Sequence, residues 1–129
     1  MSRRRRCRVA NGKARRKGRW GEEIAAKFLE NKGLKIIGRN YTKKFGEIDI
    51  IAMDGDVLVF VEVKAAVNPQ FHPIEQVTKR KQRILKKMAE IYLAENELLG
   101  EVDCRFDVVT VQRLDDKIVV EHFPDAFGM

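Results

Sequence analysis

A long amphipathic helix stands between two groups of strands, and this order constrains the fold more than any other feature of the sequence. We expect the helix to run from Pro73 to Asn96, because proline suits a first helical turn and apolar residues recur at helical spacing after it. The apolar stripe consists of Ile74, Val77, Ile84, Leu85, Met88, Ile91 and Tyr92. Because the helix joins the strands Val57–Lys64 and Cys104–Gln112, we expect these two strands to be parallel, in a right-handed connection.

The remaining segments complete the order α-β-β-β-α-β-β. Residues Gly18 to Gly33 predict a helix with an apolar stripe of Trp20, Ile24, Ala25, Phe28 and Leu29, and Gly33 is placed as its C-terminal stop. β-Branched and aromatic residues predict further strands at Leu34–Thr42, Gly46–Met53 and Lys117–Phe123. The predicted fold class is therefore α/β, in a mixed α+β arrangement: a central mixed sheet flanked by helices, with an extra C-terminal strand.

The positive charge of the chain is concentrated at its N-terminus. Residues 1–19 hold ten of the 26 lysines and arginines and no acidic residue, so the rest of the chain carries a net charge of −3. We expect residues 1–17 to be a basic, disordered tail and residues 18–129 to form a single domain. The tail, with Arg3, Arg4, Arg5 and Arg6, either binds nucleic-acid phosphates or is a solubilising or start-site-variable extension.

Other features of the sequence exclude several classes of protein. The two cysteines and two histidines are scattered, which favours unpaired thiols in a reducing cytoplasm over a disulfide framework or a zinc site. No apolar run approaches the length of a membrane span, and the arginine-rich N-terminus has no apolar segment typical of a secretory signal. We therefore expect a cytoplasmic protein that does not enter a membrane.

Charged residues occur inside two strands where apolar residues would fit. Side chains alternate between the faces of a strand, so Glu47 and Asp49 share one face of the second strand, and Glu62 and Lys64 share one face of the third. Ile or Val flanks both Asp49 and Glu62, which indicates apolar surroundings.

The register of the hairpin decides whether these two faces coincide. With a two-residue loop at Asp54-Gly55, Met53 pairs with Asp56 and Glu47 lies opposite Glu62. A four-residue loop gives the same pairing, whereas a three-residue loop would move one set of side chains to the other face. Either even-numbered loop places three carboxylates and one lysine on a shared face.

A divalent cation would offset the cost of such a face. Carboxylates opposite one another destabilise a sheet, and a carboxylate in apolar surroundings is costly unless it is paired or protonated. Mg²⁺ or Mn²⁺ accepts carboxylate and water ligands and leaves positions for phosphate oxygens, while Lys64 could hold a water or stabilise charge on a phosphate. The alternative is a solvated face whose charges form surface ion pairs.

The helix between strands three and four presents basic residues. Lys81 lies inside its apolar stripe, so this lysine either extends its ammonium to solvent or reaches a polar site at the sheet edge. Gln76, Arg80, Arg83 and Lys87 lie along one flank, where they could contact a phosphodiester backbone or form an ordinary solvated face.

Five blocks of the sequence resemble the YraN family of bacterial proteins, which are predicted endonucleases. The blocks are GRWGEEIAAKFLENKG, GRNYTKKFGEIDIIA, FVEVKAA, VTKRKQRI and RFDVV, and the resemblance as a whole covers roughly Gly18 to Phe127. The family is similar to archaeal Holliday-junction resolvases and belongs to the restriction-endonuclease-like class. The resemblance implies an αβββαβ core and metal-dependent hydrolysis of phosphodiester bonds.

The resemblance also implies roles for individual residues. Asp49 and Glu62 would be metal ligands, Lys64 would be the catalytic lysine, and Glu22, Glu47 and Lys81 match further positions of the family. One position departs from the pattern: relatives usually carry arginine two residues after the lysine, where this chain has Ala66. Ala66 removes a phosphate contact and leaves the implied metal ligands in place.

Three hypotheses for the function follow. The first is an endonuclease that uses Mg²⁺ or Mn²⁺ to cut structured or branched DNA, with homodimerisation suggested by analogy with junction enzymes. The second is a non-catalytic module that binds nucleic acid. The third is a protein-interaction subunit, which predicts no salt-dependent binding to nucleic acid.

Overall fold

The computed structural model describes residues 12–128, with side chains from Arg19 onward. Within this range the elements are α1 (Gly12–Asn31), β1 (Lys35–Lys43), β2 (Gly46–Asp54), β3 (Val57–Val67), a short 3₁₀ helix (Pro73–Gln76), α2 (Lys79–Glu95), β4 (Asp103–Leu114) and β5 (Lys117–Phe127). The five strands form one sheet in the order β1-β2-β3-β4-β5. No helix in the described part is long and apolar enough to cross a membrane.

The sheet is mixed, as the sequence predicts. β3 and β4 are parallel across the α2 connection, and every other neighbouring pair is antiparallel. β5 is the extra C-terminal strand and lies at one edge. The mixed α/β arrangement is consistent with a restriction-endonuclease-like core.

Each helix covers one face of the sheet. Ala25, Ala26 and Leu29 of α1 pack on one buried cluster that includes β3 and β4 residues. On the other face, the buried side chains of α2 join a cluster with Phe60 and Phe106. The buried residues of α2 are Leu85, Met88, Ala89 and Leu93. Leu85 and Met88 belong to the predicted stripe, whereas the sequence analysis missed Ala89 and Leu93.

The second helix is interrupted, which corrects the expectation of one helix from Pro73 to Asn96. Pro73 begins only a 3₁₀ turn, and Val77 donates its N–H back to the carbonyl of Ile74. Thr78 is extended (φ −74°, ψ 168°), and its Oγ accepts the N–H of Lys81 at 3.2 Å. This cap starts α2 afresh, because the threonine oxygen satisfies a backbone donor that lacks a helical partner.

The first helix begins at Gly12, six residues before the expected domain boundary at Gly18. Residues 12–17 belong to this helix, and the division into a basic tail of residues 1–17 and a domain of residues 18–129 stays a prediction. Residues 1–11, with Arg3, Arg4, Arg5 and Arg6, lie outside the described residues.

The hairpin between β2 and β3 has a different register from the expected one. Asp54 pairs with Val57 and Met53 with Leu58, so Gly55-Asp56 forms the loop. Asp54 stays in the strand, where its carboxylate accepts a charge-assisted hydrogen bond from Arg105 at 2.9 Å, and Gly55 provides the positive φ of +61°. The register differs by two residues from the prediction, and an even shift by itself preserves the faces of the strands. The expected face shared by Glu47 and Glu62 is nevertheless wrong, because β2 changes face at Asp49: Glu47 lies with Glu22 of α1, whereas Glu62 contacts Lys81 of α2.

α1 lies unusually close to the sheet at Gly21. A Cβ built on Gly21 would lie 2.4 Å from the Cβ of Ala65 on β3, closer than real Cβ atoms approach. α1 therefore touches β3 at Gly21, and Glu22 is the next residue of the helix. Glycine at this position therefore determines how near α1 can bring Glu22 to the sheet.

We predict that Gly21→Ala destabilises the fold. Overpacking typically costs about 1–3 kcal/mol, and at 2.4 Å we expect it to exceed the roughly 1 kcal/mol that alanine gains in helix propensity. Chemical denaturation measures the change. Gly38→Ala is the matched control, because its Cβ would meet Ile51 at an ordinary 3.8 Å. The double variant Gly21→Ala/Ala65→Gly should recover most of the loss; no recovery would contradict this packing.

Candidate functional site

The site lies where β2 and β3 separate. Their backbone pairing runs from Asp54↔Val57 only as far as Ile50↔Val61. At the next position the side chain of Asp49 replaces the backbone ladder, because its Oδ2 accepts the N–H of Val63 at 2.8 Å. A carboxylate is therefore built into the fork between two central strands.

β2 does not alternate regularly at this point. Ile48 packs in the cluster under α2, whereas Ile50, two residues later, packs in the cluster under α1. β1 changes face in the same way: Arg39 pairs with Glu23 of α1 at 3.3 Å, and Tyr41 packs with the α2 cluster. Asn40, between these two residues, has a φ of +54°. The change of face occurs at Asn40 and Asp49, which lie between the pairs Arg39↔Ile50 and Tyr41↔Ile48 of the β1–β2 register.

Three carboxylates converge beside the fork. Glu22 from α1 and Glu47 and Asp49 from β2 each place one oxygen within 4.8 Å of the others. The Nδ2 of Asn40 donates to Glu22 Oε1 at 2.9 Å and to Glu47 Oε2 at 3.0 Å. Thr42 Oγ1 donates to the second oxygen of Glu47 at 3.2 Å. Oxygen atoms with this spacing can share a hard divalent cation.

Glu62 lies deeper and has a different environment. Its side chain is 3% exposed, and its Oε2 lies 3.2 Å from Lys64 Nζ and 3.4 Å from Lys81 Nζ. Oε1 is buried and has no hydrogen-bond partner among the described residues. Lys81 thus reaches from α2 to a polar site at the sheet. Glu62 is not part of the three-carboxylate group, so its role as a metal ligand stays a prediction.

Burial and the neighbouring carboxylates raise the pKa of Asp49 well above its ordinary value. Burial is the largest cause, followed by the charges of Glu62 and Glu22, and Glu47 adds to them. The hydrogen bond from Val63 acts in the opposite direction and lowers the pKa. The fold therefore holds Asp49 where its negative charge is costly, which is typical of functional sites.

The residues predicted to contact nucleic acid fall on two elements. Arg80, Arg83 and Lys87 are exposed on α2, while Gln76 is exposed at the end of the 3₁₀ helix, before the interruption. Lys81 is half-buried and directed to Glu62. Ala66 is half-buried on β3, two residues beyond Lys64.

Sequence reasoning missed Asn40 and a second buried carboxylate, Asp107. Asp107 is fully buried, and it accepts hydrogen bonds from Arg105 (2.9 Å), His122 (2.8 Å) and the N–H of Asp125 (2.9 Å). Burial alone would raise the pKa of Asp107, but these partners together lower it below the ordinary value. This cluster ties β5 to β4. A carboxylate inside the apolar run RFDVV was a signal of the same kind as Glu62; no comparable signal marked Asn40.

We predict that Asp49→Asn is more stable than the wild type at pH 7. Because the pKa of Asp49 is raised in the folded state, the wild type loses stability as the pH rises from about 3.8 through the folded-state pKa. Asparagine has no charge to lose and keeps an oxygen acceptor for Val63. We expect a Tm higher by roughly 2–8 °C, about 1 kcal/mol in a domain of this size.

Thermal unfolding between pH 4 and pH 8 measures this effect. The difference between variant and wild type should grow with pH. Asp116→Asn, at an exposed turn position between β4 and β5, is the control and should not show this growth. A lower Tm for Asp49→Asn at pH 7 would contradict the account of the carboxylate cluster.

Comparisons with known proteins identify the family. Residues 21–111 match the uncharacterised protein family UPF0102. A UPF0102 protein of Syntrophotalea carbinolica is 46% identical over 113 residues, which cover 87% of this chain and 91% of the relative. A UPF0102 protein of Chlorobium limicola is 47% identical over 117 residues, covering 85% and 90%. The chain therefore belongs to the uncharacterised protein family UPF0102, which is the YraN family that its sequence blocks resemble.

Proposed function

We propose that the protein is a metal-dependent endonuclease that hydrolyses phosphodiester bonds in structured or branched DNA. The observation that carries the proposal is the combination of two groups at one fork of the sheet. Three carboxylates lie within 4.8 Å of one another, and Glu62 beside them is held by Lys64 and Lys81. Negative groups for a cation and positive groups for a phosphate are thus adjacent.

The residues present fit Mg²⁺ or Mn²⁺. Hard cations take oxygen ligands, and the oxygen donors of Glu22, Glu47 and Asp49 have compatible spacing. Burial, followed by the charges of Glu62, Glu22 and Glu47, raises the pKa of Asp49, so binding of a divalent cation would relieve a cost already present in the fold. The buried Oε1 of Glu62, which has no hydrogen-bond partner among the side chains described from Arg19 onward, is a further acceptor that a cation or its water could satisfy.

The lysines supply the complementary charge. Hydrolysis adds a water oxygen to phosphorus and breaks one P–O bond, so negative charge accumulates on the phosphoryl oxygens. The side chains of Lys64 and Lys81 are 21% and 32% exposed, so both lysines can be reached by a phosphate while they pair with Glu62. A bound cation would polarise a phosphoryl oxygen and lower the pKa of its water.

The exposed basic flank of α2 supports a phosphodiester substrate. Arg80, Arg83 and Lys87 continue from Lys81 along the same helix. Such contacts position a backbone without reading its sequence. They also suit a polymer better than a small phosphoester, because they extend the positive surface beyond the site.

A second candidate is a non-catalytic module that binds nucleic acid. It is favoured by Ala66, which removes a phosphate contact implied by the family pattern, and by the ion pairs that partly neutralise Glu62. This candidate predicts binding that is independent of Mg²⁺ and no cleavage.

The two candidates are separated by a cleavage assay on labelled four-way junctions, flaps and linear duplexes with Mg²⁺ or Mn²⁺. We expect the wild type to cut junctions or flaps, and Asp49→Asn and Glu62→Gln to lose at least about 100-fold in rate, as is common when an electrostatic catalytic group is removed. Glu90→Gln, exposed on α2, is the matched control and should cut normally. Since Asp49→Asn should be more stable than the wild type, its loss of cleavage would not reflect unfolding.

Equal traces of cleavage in the wild type and both variants would point to a contaminating nuclease and contradict the proposal. Metal-independent binding without cleavage on any substrate would favour the binding module instead.

We predict that the flank of α2 contributes to binding through phosphate contacts. Replacing Arg80 and Arg83 by glutamine should reduce the magnitude of the slope of log K against log salt for duplex DNA by about 2, since each phosphate contact contributes about 0.9. Fluorescence anisotropy in EDTA measures the slope without cleavage. The control Lys27→Gln/Lys35→Gln changes the same charge at two exposed lysines on other elements. Equal slopes in both variants would show that the flank is not the interface.

A further inference from the structure

We propose that Asn40 is a positioning residue whose side-chain amide sets the affinity of the carboxylate cluster for a divalent cation. This inference rests on the proposed function. It adds to the metal site a residue that is not one of the implied metal ligands. Asn40 is the one described residue that donates from a single atom to two of the three clustered carboxylates, Glu22 and Glu47.

The two carboxylates that Asn40 joins come from different layers of the fold. Glu22 is carried by α1 and Glu47 by β2, so their separation depends on how the helix lies on the sheet. The Nδ2 group of asparagine has two N–H donors, and the distances of 2.9 Å and 3.0 Å indicate one hydrogen bond to each carboxylate. Asn40 therefore links α1 to β2 through the acidic groups themselves.

The backbone of Asn40 makes this link possible. Its φ of +54° lies in the left-handed region, which asparagine adopts more readily than most residues. Arg39 on one side contacts α1, and Tyr41 on the other packs under α2. The side chain of Asn40 consequently emerges at the point where β1 changes face, beside the carboxylates.

An amide suits this position better than a charged group. A lysine would neutralise the carboxylates and compete with a cation, and an aspartate would add to their repulsion. A neutral donor holds the two oxygens together and leaves their charge available to a metal ion. The hydroxyl of Thr42 lies 3.2 Å from the other oxygen of Glu47 and 3.0 Å from the carbonyl oxygen of Asn40, so its one proton is shared between these two acceptors.

The consequence is a preorganised site. Residues that hydrogen-bond to metal-binding carboxylates commonly change metal affinity 10- to 100-fold when they are replaced. Asn40→Gly isolates the contribution of the amide, because glycine accepts the left-handed backbone without strain. We expect this variant to bind Mn²⁺ about 10- to 100-fold more weakly than the wild type.

Mn²⁺ titration followed by electron paramagnetic resonance measures the affinity without any assay of cleavage. The matched control is Asn68→Gly, since Asn68 also has a positive φ (+43°) but its side chain accepts the N–H of Asp115 at the β4–β5 turn. Asn68→Gly should bind Mn²⁺ like the wild type. Thermal unfolding of both variants verifies that each is folded at the titration temperature.

A double-mutant cycle separates a direct effect from a general loosening of the fold. If Asn40 acts through Glu22, the effect of Asn40→Gly on Mn²⁺ affinity should shrink when Glu22 is already glutamine. Undiminished weakening in that background, or equal Mn²⁺ affinity of Asn40→Gly and the wild type, would overturn the inference while leaving the proposed function standing. Absence of Mn²⁺ binding in the wild type would overturn both.

Discussion

The hydrogen bond from the N–H of Val63 to the carboxylate of Asp49 is the interaction on which the rest of the site depends. It stands where the next backbone contact between β2 and β3 would be, so the strands separate without leaving that donor unsatisfied. Beyond it, β3 stays paired with β4 past Lys64, while β2 stays paired with β1 past Glu47. The same bond fixes Asp49 near the acids that raise its pKa.

The two helices complete this fork from opposite faces. α1 approaches β3 closely at Gly21 and brings Glu22 to the acidic side. α2, restarted by the Thr78 cap, directs Lys81 to Glu62. The three clustered carboxylates thus come from α1 and β2, and the two ammonium groups come from β3 and α2. The negative charge of Asp49 costs stability, because burial and neighbouring acids raise its pKa. Asp107 differs, because its hydrogen-bond partners outweigh the effect of burial and lower its pKa.

Much of this arrangement was predictable from the sequence, because hydrophobic periodicity and the crossover helix determine a mixed sheet. The charged face was predicted with the wrong register for Met53 and Asp54, but that even shift alone would have preserved the faces of the strands. The single shared face was wrong because β2 changes face at Asp49, so Glu47 joins Glu22 of α1 whereas Glu62 contacts Lys81 of α2. The interruption before Thr78 was missed because apolar spacing continues across it. The role of Asn40 could not be predicted, since it depends on a left-handed backbone and on the approach of a distant helix.

The central claim is that Glu22, Glu47 and Asp49 together hold a divalent cation beside Glu62 and the two lysines. Anomalous diffraction from a crystal soaked in Mn²⁺ tests it most directly. We predict a single strong anomalous peak bounded by oxygens of these three carboxylates. A Mn²⁺ peak elsewhere, or no peak here at Mn²⁺ concentrations that support cleavage, would contradict the account.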